Sequence, residues 1–377
     1  MKTLKKVLFC MILALAASCT HSSDKILTVI NSDGSCRRVI STYADSSFMA
    51  GKATGDANPF AIEIDSTYSL AWQYKGVGEV HTEFPIGSLA NDSLIPIVTE
   101  RSSKREKVFL VFAGRDYKSV EEMGKEFRLK PSHPWSNMEV KYSLEKKFRL
   151  FYTYFTYKET YPHLETPFQL PIENYMSEEE ADFWFTGKPN LLLGMNGLEV
   201  SEYTDNLNNR YNRWLAQNIW DMEYELVIKH YDMVKNPPIS KEELMRLKDT
   251  VFMKNAQDDT FDMEQCLNRY FKTNAFSILW EKEFGPLAQF DTEINDHPVM
   301  QCLETSLDYR LIMPGEIIST NGVNSHDTLN WNLTAFRMLY GDYVIEAQSR
   351  KINIWMLSLI GLFALTAVAM FIYRRRV

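Results

Sequence analysis

The stretch 354–373, IWMLSLIGLFALTAVAMFIY, decides how the rest of the chain is placed, because it holds 20 residues without a charge. At about 1.5 Å of rise per residue, a helix of this length spans the roughly 30 Å hydrocarbon core of a bilayer. Trp355 and Tyr373 stand at its two ends, where amphipathic rings prefer the headgroup layer, and three arginines follow at once, Arg374, Arg375 and Arg376. We therefore predict a transmembrane helix over 352–373 and a cytoplasmic tail over 374–377. The alternative is a buried helix of a large soluble protein, which the basic stop disfavours.

The first 18 residues have the build of a secretory signal peptide. A lysine-containing start precedes an apolar run over 7–17, which is too short to cross a membrane. The ending LAASC, residues 15–19, resembles the lipobox of bacterial lipoproteins. This resemblance implies cleavage after residue 18 and makes Cys19 the expected site of lipid attachment. An ordinary signal peptide that is cut nearby and leaves Cys19 an unmodified thiol is the alternative.

These two segments predict an exported protein. Residues 20–350 are expected in the bacterial periplasm, and the last helix returns the chain through the inner membrane. Without the three lysines of the signal and the three arginines of the tail, 35 basic residues face 49 acidic ones. The exported part is thus strongly acidic, which argues against nucleic acid or anionic lipid headgroups as partners over most of its surface, so that a lipid contact would be local or through acyl chains. The lipid bilayer is the expected partner, with a lipid, a glycan or another envelope protein as further candidates.

The composition is typical of a globular body on this anchor. Hydrophobic residues make up 45% of the chain and charged residues 24%. About 330 exported residues are enough for one large or two moderate domains. Apart from Cys10 and Cys19, the cysteines are Cys36, Cys266 and Cys302, so the ectodomain allows at most one internal disulfide.

Strand patterns dominate residues 19–170. The apolar segments 26–30 and 36–43 flank the turn cluster NSDGS and predict a hairpin. A further turn is predicted at Glu145-Lys146-Lys147. The segment 148–161 has seven aromatic side chains in 14 positions, on both of its faces, which predicts a central strand covered on both sides. We expect these aromatics to form core and an interface belt, and the alternative is a stacking platform for sugar rings or bases.

A helical block is predicted over 171–295. Ser177 before three glutamates is typical of a helix N-cap with an acidic first turn. A long periodic stretch then places apolar residues on one face, namely Leu207, Tyr211, Trp214, Leu215, Ile219, Met222 and Leu226. Strand patterns resume over 296–351 as a β-meander, with a first strand over 303–312. Because neighbouring elements are joined by short connections as a rule, we predict an α+β fold in which N- and C-terminal strands form one β-rich module around the inserted helical block.

The end of the chain carries a resemblance to a known family. The run MPGEIISTNG and the later TLNWNL resemble the C-terminal β-meander of LppM-type envelope lipoproteins, over about residues 300–373. The residues that carry the resemblance are Met313, Pro314, Gly315, Asn321, Gly322 and Trp331. In that family too, a lipidated exported domain is followed by a membrane helix. The resemblance implies a β-rich module proposed to recognise lipids or glycolipids, without an enzymatic site. The overall make-up is similar to that of uncharacterised lipoproteins of Bacteroidota.

Common catalytic motifs are missing from the sequence. It contains no G-x-S-x-G elbow, P-loop, G-x-G-x-x-G or H-E-x-x-H. The seven histidines include no pair at i, i+4 spacing, so we predict no metal site, no cofactor and no catalytic residue. The preferred function is a non-enzymatic lipid- or glycan-binding module, or a complex-assembly module, of the bacterial envelope. The alternative is a glycan-directed hydrolase, in which carboxylates such as Glu159, Glu199 and Glu202 pair beside exposed aromatics.

Overall fold

The computed structural model describes residues 24–49, 58–74, 80–82, 109–255, 262–290, 294, 297–303 and 305–376. Within them the chain forms two compact units. The helical unit takes His163–Thr305 and Ala335–Gly341, and the β unit takes Ser22–Pro162, Ser306–Thr334 and Asp342–Val377. The predicted α+β fold, with a β-rich module built from both ends of the chain around a helical block, is confirmed.

The strands of the described residues form two sheets. In chain order they are β1 (Asp24–Ile30), β2 (Cys36–Ala44), β3 (Ser69–Tyr74), β4 (Phe109–Tyr117), β5 (Lys141–Arg149), β6 (Tyr152–Tyr161), β7 (Ser306–Ile312), β8 (Glu316–Thr320), β9 (Val323–Ser325), β10 (Thr328–Thr334) and β11 (Tyr343–Ile352). Sheet 1 has the strand order β3-β4-β2-β1-β7-β10-β9, and sheet 2 has the order β5-β6-β11-β8.

The α-helices of the described residues are α1 (Ser46–Met49), α2 (Val120–Glu126), α3 (Glu178–Thr186), α4 (Gly197–Lys229), α5 (Lys241–Asn255), α6 (Met263–Phe271), α7 (Pro298–Leu303) and α8 (Ile354–Arg376). Helices α1, α2 and α8 belong to the β unit, and the others belong to the helical unit.

Sheet 1 joins the two ends of the chain. Strand β1 pairs antiparallel with β2 and parallel with β7. The turn 31–35 closes the β1–β2 hairpin as predicted, with a hydrogen bond of 2.8 Å from the Asn31 N–H to the Ser35 carbonyl. Gly34 takes a φ of 103°, which glycine adopts without a steric cost. Parallel strands need a long connection, and the chain between β1 and β7 includes the larger segment of the helical unit, His163–Thr305.

Sheet 2 differs from the prediction at its hairpin. Strand β5 runs through 145–147, where a turn was predicted, and the chain reverses at Leu150 and Phe151. Strand β6 is hydrogen-bonded on both edges, to β5 and β11. Only one of its faces is buried, however, since Phe155 and Tyr157 are covered while Tyr154 on the other face is partly exposed. The expectation that both faces are covered was wrong, and the buried aromatics of β6 belong to the core.

Helix α3 of the helical unit begins at the residues that carry the predicted N-capping signal. At the start of α3, the Ser177 hydroxyl accepts a hydrogen bond of 3.3 Å from the Glu180 N–H, and the Glu180 carboxylate accepts one of 2.8 Å from the Ser177 N–H. Helix α4 has the predicted apolar face: five of the seven positions are buried, and four of them form one cluster against which Met222 and Leu226 pack. This face forms the core between α3 and α4.

A segment from late in the sequence completes that core. The 3-10 turn Ala335–Met338 lies between β10 and β11, and the ring of Phe336 lies 4.9 Å from the ring of Phe185. Tyr340 stacks on the same Phe185 ring at 5.8 Å. The segment falls within the stretch predicted as β-meander. In that stretch the first strand begins at Ser306 instead of residue 303, because α7 occupies Pro298–Leu303.

Glu180 links α3 to α4 and gives the helical unit a pH dependence. Its carboxylate is 2.6 Å from the Arg210 guanidinium. Hydrogen bonds from Arg210 lower the pKa of Glu180 from 4.5 to about 2. Because this folded-state pKa lies below the unfolded one, the carboxylate contributes stability that is present above about pH 4.5 and is lost as the pH falls toward 2.

We expect Glu180→Gln to flatten the pH dependence of the helical unit's free energy of unfolding over that acidic window. Urea titrations at a series of pH values measure it. Glu179→Gln, which removes a charge from the same first turn of α3, is the matched control and should keep the dependence. If the free energy of unfolding of Glu180→Gln falls with decreasing pH as steeply as that of the unchanged chain, the role of this ion pair is contradicted.

Helix α8 is, within the described part of the chain, the one helix that is long and apolar enough to cross a membrane. None of its 22 residues Ile354–Arg375 is buried by the rest of the structure. It begins directly after β11, with Asn353 as the single connecting residue. Length and composition therefore make α8 a possible membrane span, and it continues straight from sheet 2.

Candidate functional site

A buried ion pair joins the two sheets of the β unit. Arg38 Nη2 of β2 lies 2.7 Å from Glu159 Oε2 of β6, and the two side chains are 1% and 0% exposed. Strand alternation explains the position of Arg38, since it stands between Cys36 and Ile40 on the buried face of β2. A buried charge is tolerated only when it is paired and hydrogen-bonded, so the surrounding polar groups determine whether this pair is stable.

Three donors satisfy the Glu159 carboxylate. The Tyr161 hydroxyl donates to Oε1 at 2.6 Å, and the Tyr157 hydroxyl and Arg38 both donate to Oε2 at 2.7 Å. The tyrosines stand two residues before and after Glu159 on β6, so all three side chains point to one face. Burial, followed by the charge of Glu159, raises the pKa of both tyrosines well above the ordinary value. Both hydroxyls therefore stay protonated and keep donating.

Sheet 1 holds the Arg38 guanidinium from the other side. Its Nε donates to the Thr28 hydroxyl at 3.0 Å and its Nη2 donates to the Tyr309 hydroxyl at 3.0 Å. The ring of Phe127 lies 4.7 Å from the guanidinium carbon, which adds a cation–π contact. Burial is the largest influence and opposes the charge of Arg38, but the Glu159 carboxylate and the neighbouring tyrosines together outweigh it, and the pKa of Arg38 lies well above its ordinary value. Arg38 is therefore a permanent buried cation.

The Nη1 atom of Arg38 has the weakest contact of the guanidinium. It lies 3.4 Å from the hydroxyl of Tyr142, which is long for a strong hydrogen bond. Burial raises the pKa of Tyr142, so this hydroxyl is protonated as well. Tyr142 is partly exposed and lies where the buried pair meets a cavity.

The cavity that borders the ion pair has a volume of about 400 Å³. Its apolar wall consists of Ile26, Phe127, Leu129, Trp135, Met138, Val140 and Leu307. Its polar lining consists of Arg38, Arg128, Ser136, Asn137, Glu139, Tyr142, Glu159 and Tyr161. Small-molecule sites commonly have volumes of about 300–1,000 Å³ and combine apolar walls with polar groups that orient the ligand. The cavity has a volume in that range and a mixed lining, in which polar residues are as prominent as apolar ones.

Trp135 and His133 hold one wall of the cavity in place. Trp135 is 2% exposed, and its backbone N–H donates to His133 Nδ1 at 3.1 Å. Burial lowers the pKa of His133 to about 4, so the imidazole is neutral at pH 7 and Nδ1 is free to accept. The Trp135 ring packs edge-on against the Tyr161 ring at 6.3 Å. The aromatic wall and the Glu159 network are thus in direct contact.

The three carboxylates named from the sequence lie in different surroundings. Glu159 borders the cavity of the β unit. Glu199 belongs to the helical unit, where it accepts a hydrogen bond of 2.7 Å from the Asn196 N–H at the start of α4. Glu202 is exposed on the next turn of α4.

The predicted membrane-anchor residues lie on α8, except for the lipid-attachment cysteine. Trp355 and Tyr373 are exposed at the two ends of the helix. The three arginines that follow, Arg374, Arg375 and Arg376, continue it by one turn. Cys19, the predicted lipid-attachment residue, lies outside the described residues.

Residues that carry the family resemblance build turns beside β8. The Asn321 side-chain oxygen accepts hydrogen bonds of 3.0 Å from the Trp331 indole N–H and 2.9 Å from the Glu346 N–H. Gly322 packs against the Trp331 ring so closely that a Cβ would overlap it. Met313 is buried, and Gly315 takes a φ of 84° in the β7–β8 turn.

Sequence reasoning missed most of the site, although one signal was present. Arg38, Tyr142 and Tyr309 were not singled out. A charged residue that alternates with the apolar residues of β2 occupies an inward position, and such a charge needs a buried partner. That signal points to Arg38 without identifying Glu159.

Other chemistry-bearing groups add no second site. Among the residues that the structure describes, no three His, Cys, Asp or Glu side chains are grouped to hold a metal ion. Among the described residues, Cys36, Cys266 and Cys302 are buried and no disulfide joins them. Comparison of this chain with protein-family models, with curated proteins and with solved structures finds no match.

Proposed function

We propose that this chain is a bacterial envelope protein, anchored in the inner membrane by α8, whose periplasmic β unit binds a lipid or glycolipid without catalysing a reaction. The observation that carries the proposal is the cavity, with its apolar wall and its ionic, hydrogen-bonded border. An amphipathic ligand matches both parts. Its chain would lie against Leu129, Met138 and Val140, the partly exposed apolar residues of the lining, and its polar head would lie near Tyr142.

The proposed placement in the cell follows from the two ends of the sequence. The signal-like residues 1–18 and the lipobox-like ending at Cys19 support export and a second, lipid anchor. The three arginines after Tyr373 support a cytoplasmic C-terminus. A spanning helix is the stronger anchor, since a single acyl chain gives only reversible attachment.

The contacts of Glu159 favour binding over hydrolysis. A general acid or base must exchange a proton with the substrate, and it works best with a carboxyl group that reaches the reacting atom. Both oxygens of Glu159 are instead occupied by donors from Arg38, Tyr157 and Tyr161, and the side chain is fully buried. This arrangement supports a structural role for Glu159 at the border of a ligand pocket.

Native mass spectrometry of the full chain, extracted in detergent from isolated inner membranes, tests the proposal. We expect a bound lipid or glycolipid to be retained as added mass. Val140→Trp fills the cavity from its partly buried wall and is expected to abolish that added mass. Val323→Trp enlarges an exposed residue of β9 in the same unit and should leave the added mass unchanged.

The control separates the cavity from lipids that only surround α8. Lipid held around the helix would remain in Val140→Trp as well as in Val323→Trp. Equal retention by both variants, or no retained mass in the unchanged chain, would overturn the proposed binding site.

A further inference from the structure

The tip of the β5–β6 hairpin exposes apolar side chains where the fold would otherwise place polar ones. Phe148, Leu150 and Phe151 are 52%, 56% and 43% exposed. They follow one another around the turn, with Leu150 at a φ of 26°. Large apolar groups that cluster on an exposed turn indicate a contact surface. What covers this tip follows from its position relative to α8.

Asn353 ties the hairpin tip to the first residue of α8. Its N–H donates to the Phe151 carbonyl at 2.8 Å and its side-chain amide donates to the Leu150 carbonyl at 2.9 Å. Its side-chain oxygen accepts from the Thr153 hydroxyl at 2.8 Å. Asn353 is almost fully buried by these contacts. The turn therefore lies beside the first residues of α8, at the same level along the helix axis.

The position of Trp355 indicates how deep the turn lies relative to a bilayer. Its ring stacks on the Phe148 ring, with 6.0 Å between centroids and 15° between planes. An indole at the end of a membrane-spanning helix lies at the boundary between headgroups and acyl chains. Phe148, in contact with that ring, lies at the same boundary when α8 crosses a bilayer.

Basic residues surround the tip on the next rungs of the sheet. Lys147, Tyr154 and Arg350 lie side by side across β5, β6 and β11, and Arg149 is on the rung nearer the turn. Lys146 and Lys351 reach the β1–β2 turn from the other face and bond to Ser32. Lys147 forms an ion pair of 3.5 Å with Glu145 and Arg350 one of 2.8 Å with Glu316, and the five cations still outnumber the neighbouring acidic groups, Asp33, Glu145 and Glu316. The region around the tip is therefore basic, although the chain as a whole is acidic. It lies next to the level of Trp355, where lipid phosphates would be found.

We infer that the β5–β6 turn is a second membrane contact, in which Phe148, Leu150 and Phe151 enter the leaflet that surrounds the start of α8. Lys147 and Arg149 meet the lipid phosphates above it. Apolar groups of interfacial segments enter by about 5–10 Å, which the turn's side chains can reach. This inference depends on the membrane attachment proposed above and adds a fixed orientation to it, because two contacts stop the β unit from rotating about a single helix.

The test places an environment-sensitive bimane label on the full chain in nanodiscs that contain phosphatidylglycerol. Leu150→Cys reports on the turn, Leu362→Cys reports on the middle of α8, and Val323→Cys is an exposed apolar position of the same unit. The unchanged chain, labelled in parallel, supplies the background. We expect the label at residue 150 to be quenched by nitroxide lipids and protected from aqueous iodide. The label at residue 323 should be quenched by iodide alone.

The position in α8 distinguishes two kinds of failure. If the label at residue 362 escapes the nitroxide lipids, the proposed membrane anchoring is wrong. If it is quenched by them while residue 150 is as open to iodide as residue 323, the anchor holds and the second contact is overturned.

Charge reversal tests the lipid phosphates separately. Lys147→Glu combined with Arg149→Glu is expected to increase the iodide quenching of the label at residue 150. Lys158→Glu reverses an exposed charge of β6 away from the turn and should leave that quenching as it was. No difference between these variants would overturn the role of the basic residues.

Discussion

Replacing Arg38 by methionine is expected to lower the free energy of unfolding of the β unit by about 3–5 kcal/mol, because it leaves a buried carboxylate without its cation. The Glu159 side chain is 0% exposed, and only the hydroxyls of Tyr157 and Tyr161 would still donate to it. Hydrogen–deuterium exchange of the β6 amides, in the full chain in detergent micelles, measures the loss. Those amides exchange when sheet 2 opens, so the method reports on this unit alone.

Lys158→Met is the matched control for that result. Lys158 precedes Glu159 on β6 and forms an ion pair of 3.2 Å with Glu346, in which both side chains are nearly half exposed. Exposed pairs of this kind contribute about 0–1 kcal/mol, so protection of the same amides should hardly change. An equal loss of protection in both variants would mean that the buried Arg38 pair contributes no more to stability than an exposed pair.

The double variant Arg38→Met, Glu159→Gln tests whether the pair is coupled. It should lose less stability than the two single variants together, because neither side chain then leaves a lone charge behind. Strictly additive losses would contradict a direct interaction between Arg38 and Glu159.

Gly315→Ala is expected to destabilise the β7–β8 turn by about 2–5 kcal/mol, through backbone strain and a clash. Gly315 has a φ of 84°, which disfavours any residue with a Cβ. An added Cβ would overlap the Arg350 carbonyl oxygen and lie 2.8 Å from the carbon of that group. Both are backbone atoms of β11 and cannot rotate away, so β8 or β11 must move. Exchange of the β8 and β11 amides measures the effect.

Gly34→Ala separates strain from the clash. Gly34 has a φ of 103° in the β1–β2 turn, but nothing lies within 4 Å of an added Cβ. Its substitution should cost only the backbone strain, about 1–2 kcal/mol. A loss for Gly34→Ala as large as that for Gly315→Ala would show that close packing against Arg350 contributes nothing.

The elements that the sequence predicted well are those with local signals. Ser177 and its following glutamates mark the start of α3, and the period of 3.6 residues identifies Tyr211 and Trp214 as core positions of α4. The NSDGS turn defines the β1–β2 hairpin for the same reason. In each case the residues that determine the structure are close together in the chain, so their spacing alone carries the information.

The β5–β6 turn was misplaced because strand ends in a sheet are set by distant partners. Glu145-Lys146-Lys147 is polar enough for a turn, yet these residues pair with 154–156 of β6. Beyond them, β6 pairs with β11 along its whole length. Propensity along one strand does not report such pairing.

The candidate site was hard to predict because its members meet only through the packing of two sheets. Arg38 and Glu159 are 121 residues apart, and Arg38 and Tyr309 are 271 residues apart. The alternation along β2 shows that Arg38 points inward, but it does not show which acidic side chain among 49 acidic residues faces it. Only the three-dimensional structure shows which residues surround the inward-pointing Arg38 and thereby identifies the candidate site.

The parallel pairing of β1 with β7 has a consequence for how the polypeptide is made. A ribosome releases β1 near the start of synthesis and β7 only after His163–Thr305, the larger segment of the helical unit, has emerged, so one edge of β1 stays open throughout that interval. An open edge readily captures a strand of another molecule. Contacts that are so distant in the chain also slow the final closure. A factor that binds the open edge of β1 until β7 has emerged would therefore protect the first hairpin from aggregation.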